Sequence, residues 1–460
     1  MNTKALRQKI LDLAIHGKLV PQDPNDEPAS MLLERIRAEK ERLIKEGKIK
    51  KPKKAKTTCD KPHYPYQLPE GWVWTTVGEI AESNIGLTYK PSDICLDGVP
   101  VYRSNNIRNG HIDLTDVVRV STKILEKQFL NERDLLICAR NGSRRLVGKN
   151  AIIPQLDEPT AFGAFMAVCR SVYNPWICLV LNTTYFDRYL DDSNSTTINQ
   201  VTQSMLLALP IPFPPKNEQV RIIKEAVQLI SVVDDINSNK ERLNSVIKQT
   251  KSKILDLAIH GKLVPQDSND EPASELLKRI NPKAEITCDN PHYQNLPSGW
   301  VAIRVGNAAE YTNGRAFKPE EWQTKGRPII RIQNLNDSSA PYNRSTAEYE
   351  AKYLIQNGDL LFAWAASLGT YIWQGEDAWL NQHIFKVTPY PFIDKEYLFY
   401  AFLSMISEFY RNSHGSGMVH ITKKQFEEVI LLLPPLSEQY RIVHQLKILF
   451  ATLDNIAESL

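Results

Sequence analysis

At 460 residues, 42% hydrophobic and 24% charged, with a formal net charge of +3, the chain has an ordinary globular composition, with room for about three domains or for two domains and extended helices. No window approaches the roughly 18 consecutive apolar residues of a membrane span, and the charged, amphipathic start MNTKALRQKILDLAIHGK lacks the apolar core and cleavage site of a signal peptide. Cys59, Cys95, Cys138, Cys169, Cys178 and Cys288 form no C-x-x-C, which suits a reducing cytoplasm and argues against a disulfide framework.

The first predicted element is a helix over residues 3–16, because Leu6, Ile10 and Leu13 fall at steps of four and three. Gly17 stands where a left-handed cap is expected, and Pro21 forbids continuation. A second helix runs from Pro28 to Lys45, with Ile36, Leu43 and Ile44 on its apolar face. It leads into KEGKIKKPKKAK, with seven lysines between Lys45 and Lys56. That run reads either as a solvated linker or as a strip for a DNA backbone, and Asn281-Pro282-Lys283 takes its place in the second half.

A globular unit begins at Pro62, and its landmarks return later in the chain. Pro62-His63-Tyr64 recurs as Pro291-His292-Tyr293, and Leu68-Pro69-Glu70-Gly71-Trp72 as Leu296-Pro297-Ser298-Gly299-Trp300. The run from Pro100 to Ile107 parallels Pro328 to Leu335, and Asp134 falls on Asp359. Short β-branched and aromatic runs punctuated by Asn, Gly and Asp predict strands and turns. A helix over residues 175–191 matches one over 395–412. Each unit is thus a mixed α/β domain of about 150 residues, and between the landmarks the two differ widely. Both close on a proline-rich run ahead of Glu-Gln, at Glu218-Gln219 and Glu438-Gln439.

Behind the first close runs a heptad pattern through Ile222, Ala226, Leu229, Val233, Ile236, Leu243, Ile247, Ile254 and Leu257, with no Gly or Pro between Glu218 and His260. Ile442, Leu446, Leu449, Leu453, Ile456 and Leu460 repeat its beginning at the C-terminus. The N-terminal helix repeats its end: KILDLAIHGKLVPQDPNDEPAS, Lys9 to Ser30, returns 244 residues later at Lys253 to Ser274 with Pro24 against Ser268 as the single difference. Identity of that kind implies that both copies do the same job. Laid end to start, the termini rebuild a second copy of the central helix. The predicted fold class is α+β: two similar mixed α/β domains separated by long helices that form an antiparallel coiled coil, a pseudo-twofold circular repeat. The expected boundaries are 1–61 for the N-terminal helical segment and linker, 62–217, 218–290 for the central spacer, 291–437, and 438–460 for the last helix.

Catalytic patterns are near misses. The segment Gly142 to Asn150 resembles a phosphate loop with one residue too many and Asn150 where Ser or Thr must meet a metal. Asn174-Pro175-Trp176 lacks the second proline of an amino-methyltransferase site and reads better as a helix start. Asp337 with Glu350 and Lys352 imitates a nuclease set in one half only. Cys59 with His63, and Cys288 with His292, supply two ligands each and close no tetrahedral zinc site. The expectation is no catalytic residue and no metal.

A charge this near zero neither demands nor excludes nucleic acid, so the placement of charge decides. Turn-rich segments carry Arg, Asn, Gln and Lys close together: Arg103, Asn105 and Asn106; Arg140, Asn141, Ser143, Arg144 and Arg145, with Lys149; Arg315 and Lys318; Arg331, Gln333 and Asn334. Lys423 and Lys424 join them as candidates. Arg grips guanine edges, Asn and Gln suit adenine, and Lys and Arg hold phosphates. Each such loop also reads as ordinary solvated surface, and Arg103 and Arg331 as buried structural arginines.

The whole arrangement resembles the specificity subunit of a type I restriction–modification system, over essentially the full length. The carriers are Leu11 to Gln22 with its second copy at 255–266, the Leu-Pro-x-Gly-Trp openings and the Pro-Pro-x-x-Glu-Gln closings. Gly415-Ser416-Gly417 before Ile421 also suits the family, whereas Ser195-Thr196-Thr197 departs from it. The resemblance implies two target-recognition domains, each reading half of a bipartite target in double-stranded DNA, on spacers that set the gap. It implies a non-catalytic cytoplasmic subunit with no membrane contact, which recruits two methyltransferase subunits and ATP-dependent restriction and translocase subunits. S-adenosylmethionine, ATP and Mg are then expected in those partners and not in this chain. Half-sites are expected on one face of the DNA, about a turn apart. Expected partner or spacer contacts are Ile15, His16 and Leu19, their copies Ile259, His260 and Leu263, and Ile222, Leu229, Val233, Ile236, Ile442, Leu449 and Leu453. Polar substitution around Ile15 is expected to weaken partner assembly while sparing the fold; the alternative is that this stretch only ends and buries a helix. A scaffold that binds two protein targets is the second function class.

Overall fold

A computed structural model describes residues 2–47, 66–193, 199–282, 284–286, 296–411 and 420–459. The lysines from Lys48 to Lys56, Cys59 and Pro62 to Tyr64 lie outside these residues, as do Ser195 to Thr197, Lys283, Cys288, Pro291 to Tyr293 and Gly415 to Gly417. The chain forms two units, Met1–Asn239 and Lys240–Leu460, and their boundary falls inside the helix Lys216–Ile259.

In the first unit the helix Thr3–Ile15 begins at Asn2, whose Oδ1 accepts from Ala5 N at 2.9 Å. It ends at Gly17, φ +64°. There Lys18 N donates to Leu13 O at 2.8 Å and Gly17 N to Ala14 O at 3.2 Å, the paired bonds of a Schellman cap. Its buried face is Ile10, Leu11, Ala14 and Ile15, whereas Leu6 is exposed. The predicted seam through Leu6 and Leu13 is therefore rotated, because the helix faces its own domain core.

The opening and closing motifs owe their pairing to one two-stranded ribbon. Val73–Thr76 runs antiparallel to Pro210–Phe213, with Val73 opposite Phe213. The main sheet is four-stranded and antiparallel, ordered Glu82–Ile85, Met166–Arg170, Leu135–Cys138, Asn150–Ile152. A smaller sheet sets Ile94–Tyr102 between antiparallel Val118–Val120 and parallel Ala161–Phe162. The helix expected over 175–191 is two helices, Asn174–Leu181 and Thr184–Ser193. Polar side chains take over the backbone at the break: Thr183 Oγ1 donates to Val180 O at 2.7 Å, and Asn182 Nδ2 to Cys178 O at 2.7 Å and Asn150 Oδ1 at 3.0 Å.

The second unit repeats this plan. Val301–Arg304 pairs with Ile430–Leu433. The main sheet is ordered Ala309–Asn313, Ile384–Pro389, Leu360–Ala363, Gly369–Ile372. The smaller sheet is ordered Asn343–Ser345, Arg327–Ile330, Ala378–Leu380, Leu354–Ile355. Here the matching helix, Lys395–Arg411, is continuous, and the last helix is Leu436–Glu458.

Within each unit a terminal helix lies antiparallel to its own stretch of the long helix. In the first, Thr3 Oγ1 donates to Asn237 Oδ1 at 3.1 Å and Arg7 pairs with Asp234 at 2.5 Å. In the second, Lys251 pairs with Asp454 at 2.5 Å, and Ile442 and Leu446 share a core with Leu255 and Ile259.

Candidate nucleic-acid interface

The two near-identical stretches are occupied by their own units. A β-carbon on Gly17 would stand 2.6 Å from Pro69 Cγ and 3.0 Å from Trp72 Cζ2; on Gly261 it would stand 2.5 Å from Pro297 Cγ and 3.1 Å from Trp300 Cζ2. Trp72 Nε1 donates to Glu218 Oε2, and Trp300 Nε1 to Glu438 Oε2, each at 3.0 Å. Arg221 pairs with Asp26 and Arg441 with Asp270, each at 2.6 Å. Opening tryptophan, closing glutamate and helix end therefore make one knot per unit. Burial raises the pKa of Glu218 and of Glu438.

Ile15 and Ile259 belong to these cores and are buried. The expectation that a polar Ile15 spares the fold is corrected on that ground, since a polar group there would lose its water with nothing to replace it. His16 stacks on Tyr66 with centroids 4.0 Å apart, and the Tyr66 hydroxyl donates to Ile15 O at 2.9 Å. Ile222, Val233 and Ile442 are also buried; Leu19, Leu229, Ile236, Leu263, Leu449 and Leu453 are half-buried, and His260 is exposed.

The polar turns divide into scaffold and surface. Asn106 is buried: its Oδ1 accepts from Arg103 N at 2.8 Å, and its Nδ2 donates to Asp113 O at 3.1 Å and Asp116 O at 2.9 Å. Asn334 is buried likewise, accepting from Arg331 N at 3.2 Å and donating to Ala340 O at 3.2 Å and Pro341 O at 3.3 Å. Both were expected to read bases. Both instead shape a turn that carries an arginine, because an Asn with all its hydrogen bonds made inside has none left for a ligand. Arg103 and Arg331 are half-buried. Arg103 pairs with Asp116 at 3.2 Å, a carboxylate that also takes Asn105 Nδ2. Arg331 lies over Trp322, 5.5 Å from the ring centroid.

The loop after the strand Leu135–Cys138 meets the first of these turns. Asn141 Nδ2 donates to Ser104 Oγ at 3.3 Å, and Lys149 Nζ to Ser104 O at 3.2 Å. Burial lowers the pKa of Lys149. Arg140, Ser143 and Arg145 are exposed, whereas Arg144 is held by Asp191 at 2.7 Å. In place of a phosphate cradle, Gly148 packs on Phe186, where a β-carbon would sit 2.8 Å from Cε1. Asn174 is used inside, donating to Arg133 O at 2.7 Å and Cys169 O at 2.9 Å.

In the second unit Arg315 is structural, paired with Glu321 at 2.8 Å and lying 4.4 Å from the Tyr349 centroid. The guanidinium holds the Glu321 carboxyl down at about 2. Lys318 and Gln333 are exposed. Lys423 and Lys424 sit on the short helix Lys423–Glu428; Lys423 lies 3.6 Å from Glu427, and Lys424 is largely exposed. Asp337 is spent on its own turn, accepting from Ser339 N at 2.9 Å and Oγ at 2.6 Å, while Glu350 pairs with Lys352 at 2.7 Å. Among the described residues no group of three or more His, Cys, Asp or Glu is placed to hold a metal ion.

Sequence reasoning missed the aromatic members of these surfaces. Phe165 is 62% exposed, with the Arg140 guanidinium 5.6 Å from its centroid. Trp364 donates from Nε1 to Asn313 Oδ1 at 3.1 Å and meets His383 edge to face at 4.7 Å. Burial, then His420, lowers the pKa of His383, so its imidazole is neutral at pH 7. No Arg or Asn stands beside Phe165 or Trp364 in the sequence, and the pairing across the sheets that brings them to Arg140 and Asn313 is not visible in the chain order.

Residues 69–249 and 297–460 match the family described as Type I restriction modification DNA specificity domain. The chain is 30% identical to the specificity subunit of the type I restriction enzyme EcoAI of Escherichia coli, over 98% of this chain and 90% of that one. It is 28% identical to the EcoKI specificity subunit of Escherichia coli strain K12, over 85% and 84%. A solved chain from work on assembly and conformational transition of the type I R-M system shares the fold, with a TM-score of 0.58 at 18% identity, covering 86% of this chain and 94% of that one. Two matches to the family model, one in each repeated unit, a relative 30% identical over nearly the whole chain and a shared fold agree, and the chain belongs to the specificity subunits of type I restriction–modification systems, which serve DNA sequence recognition.

Proposed function

We propose that each unit reads one half of a bipartite, asymmetric target in double-stranded DNA, and that the long helix sets the gap between the halves. The observation that carries this reading is the repetition of one frame with unlike side chains: Asn106 and Asn334 build the same arginine turn, but exposed Arg140 and Phe165 stand at the tip of one and the half-buried pair Trp364 and His383 at the tip of the other. Exposed Arg and Lys supply affinity that falls with salt, and side chains at the tips discriminate bases at about 1–3 kcal/mol per good contact. The chain itself is non-catalytic. It recruits two methyltransferase subunits, which bring S-adenosylmethionine and methylate adenine N6, and restriction and translocase subunits, which bring ATP and Mg, in the cytoplasm.

Methylome sequencing of a host expressing this chain with its neighbouring methyltransferase tests the reading. N6-methyladenine in a motif of two unlike halves around a constant gap is the expected result. Methylation of one contiguous motif, or of two identical halves, refutes it.

A further inference from the structure

We propose that the turn joining the short parallel strand to the long strand of the main sheet is a base-reading position in both units, held by Phe165 in the first and His383 in the second. The inference rests on the DNA reading above and names where, on each unit, one base pair is selected.

Main-chain bonds put the two tips at equivalent points. Gly163 N donates to Tyr102 O at 3.0 Å and Asn381 N to Ile330 O at 3.2 Å, so each turn starts against the residue just before Arg103 or Arg331. At the tip, Phe165 O accepts from Ala139 N at 2.9 Å and Arg140 N at 3.0 Å, and His383 O accepts from Trp364 N at 3.0 Å. A third segment closes each frame, with Arg140 bridged to Gln200 and Ala365 to His420. From behind, Gly86 and Gly314 clamp the turns: a β-carbon would stand 2.2 Å from Gly163 O and 2.0 Å from Asn381 O. The backbone is therefore held rigid at a place that three loops share, as a reading position requires.

On this common frame the side chains are of different chemistry. Phe165 stands 62% exposed beside the Arg140 guanidinium, an apolar face suited to the methyl group of thymine. His383 takes φ +72°, a conformation that a β-carbon disfavours, and its Nδ1 is buried with no hydrogen-bond partner among the described residues. With Nδ1 buried, Nε2 is the ring nitrogen left to meet a base, and as the single donor of a neutral imidazole it suits the N7 of a purine. The two tips thus select different base pairs.

The test is selection from a randomised duplex library by the purified full-length chain, with Phe165→Ala, His383→Ala and His383→Asn beside the wild type; Asn tolerates positive φ and guards against a misfolded Ala variant. Phe165→Ala should relax preference at one base pair of one half-site by about tenfold, leaving the other half unchanged, as the loss of one base contact implies. His383→Ala should do the same in the opposite half, and His383→Asn should change the preferred base there. Folded variants with unaltered preferences, or with equal loss on every sequence, overturn the proposal and leave the bipartite reading standing. A wild-type chain that selects no motif overturns both. Should both His383 variants unfold, Phe165→Ala decides alone, since its ring is mostly in solvent.

Discussion

Replacing Gly17 by alanine tests why the repeated stretch is kept so nearly identical. Two costs add. A residue with a β-carbon held at φ +64° loses about 1–2 kcal/mol. The new methyl group would also stand 2.6 Å from Pro69 Cγ and 3.0 Å from Trp72 Cζ2, and forcing extra carbon into a packed site costs about 1–3 kcal/mol. The sum is about 2–5 kcal/mol, a rise of about thirty- to several-thousand-fold in the opening equilibrium of the helix end. Gly47 supplies the control: its φ is +71° and a β-carbon there meets nothing within 4 Å, so Gly47→Ala carries the conformational cost alone. Hydrogen exchange at the cap amides of Gly17 and Lys18 in the full-length chain reads the effect locally, without assuming a two-state transition for the whole chain. Gly261→Ala should match Gly17→Ala, because its surroundings are the same to within 0.1 Å. The reasoning fails if Gly17→Ala protects its cap as well as the wild type, or if it costs no more than Gly47→Ala costs at its own turn.

Asn106→Ala leaves one amide and two carbonyls of the arginine turn without partners; a loss of about 2–4 kcal/mol is expected, together with loss of DNA binding, and a thermal melt that matches wild type speaks against it. Asp116→Asn should cost less than about 1 kcal/mol, because the pair with Arg103 is exposed. It should nevertheless tighten DNA binding and steepen the salt dependence by about one ion, since Arg103 is released; a titration series in salt with an unchanged slope rules this out. For Glu321 the sign follows from a folded-state pKa of about 2 against an ordinary 4.5. Its contribution is complete above 4.5 and is lost as pH falls through 2. Protection from hydrogen exchange around Arg315, taken relative to the intrinsic rate at each pH, should therefore fall across that window, and Glu321→Gln should flatten the profile.

Local pattern alone specified much of this protein. Two nearly identical helix ends, matched Leu-Pro-x-Gly-Trp openings and Glu-Gln closings announced a duplicated architecture, and an uninterrupted heptad run announced a helix close to the observed Lys216–Ile259. Such features are legible because helix periodicity, caps and repeats are read along the chain. The roles of single polar residues were not. Asn106 and Asn334 look like base readers in one dimension, and only the fold turns them inward to hold a turn. Ile15 looks available for a partner until Trp72 and Pro69 close over the helix end beside it. Phe165 and His383 carry no local signal, because their significance comes from strands 50 or more residues earlier that pass against their turns. Which residues face out of a sheet, and which loops meet there, depends on pairing between distant segments. That pairing is settled by burying a core, a property of the folded chain and of no window within it.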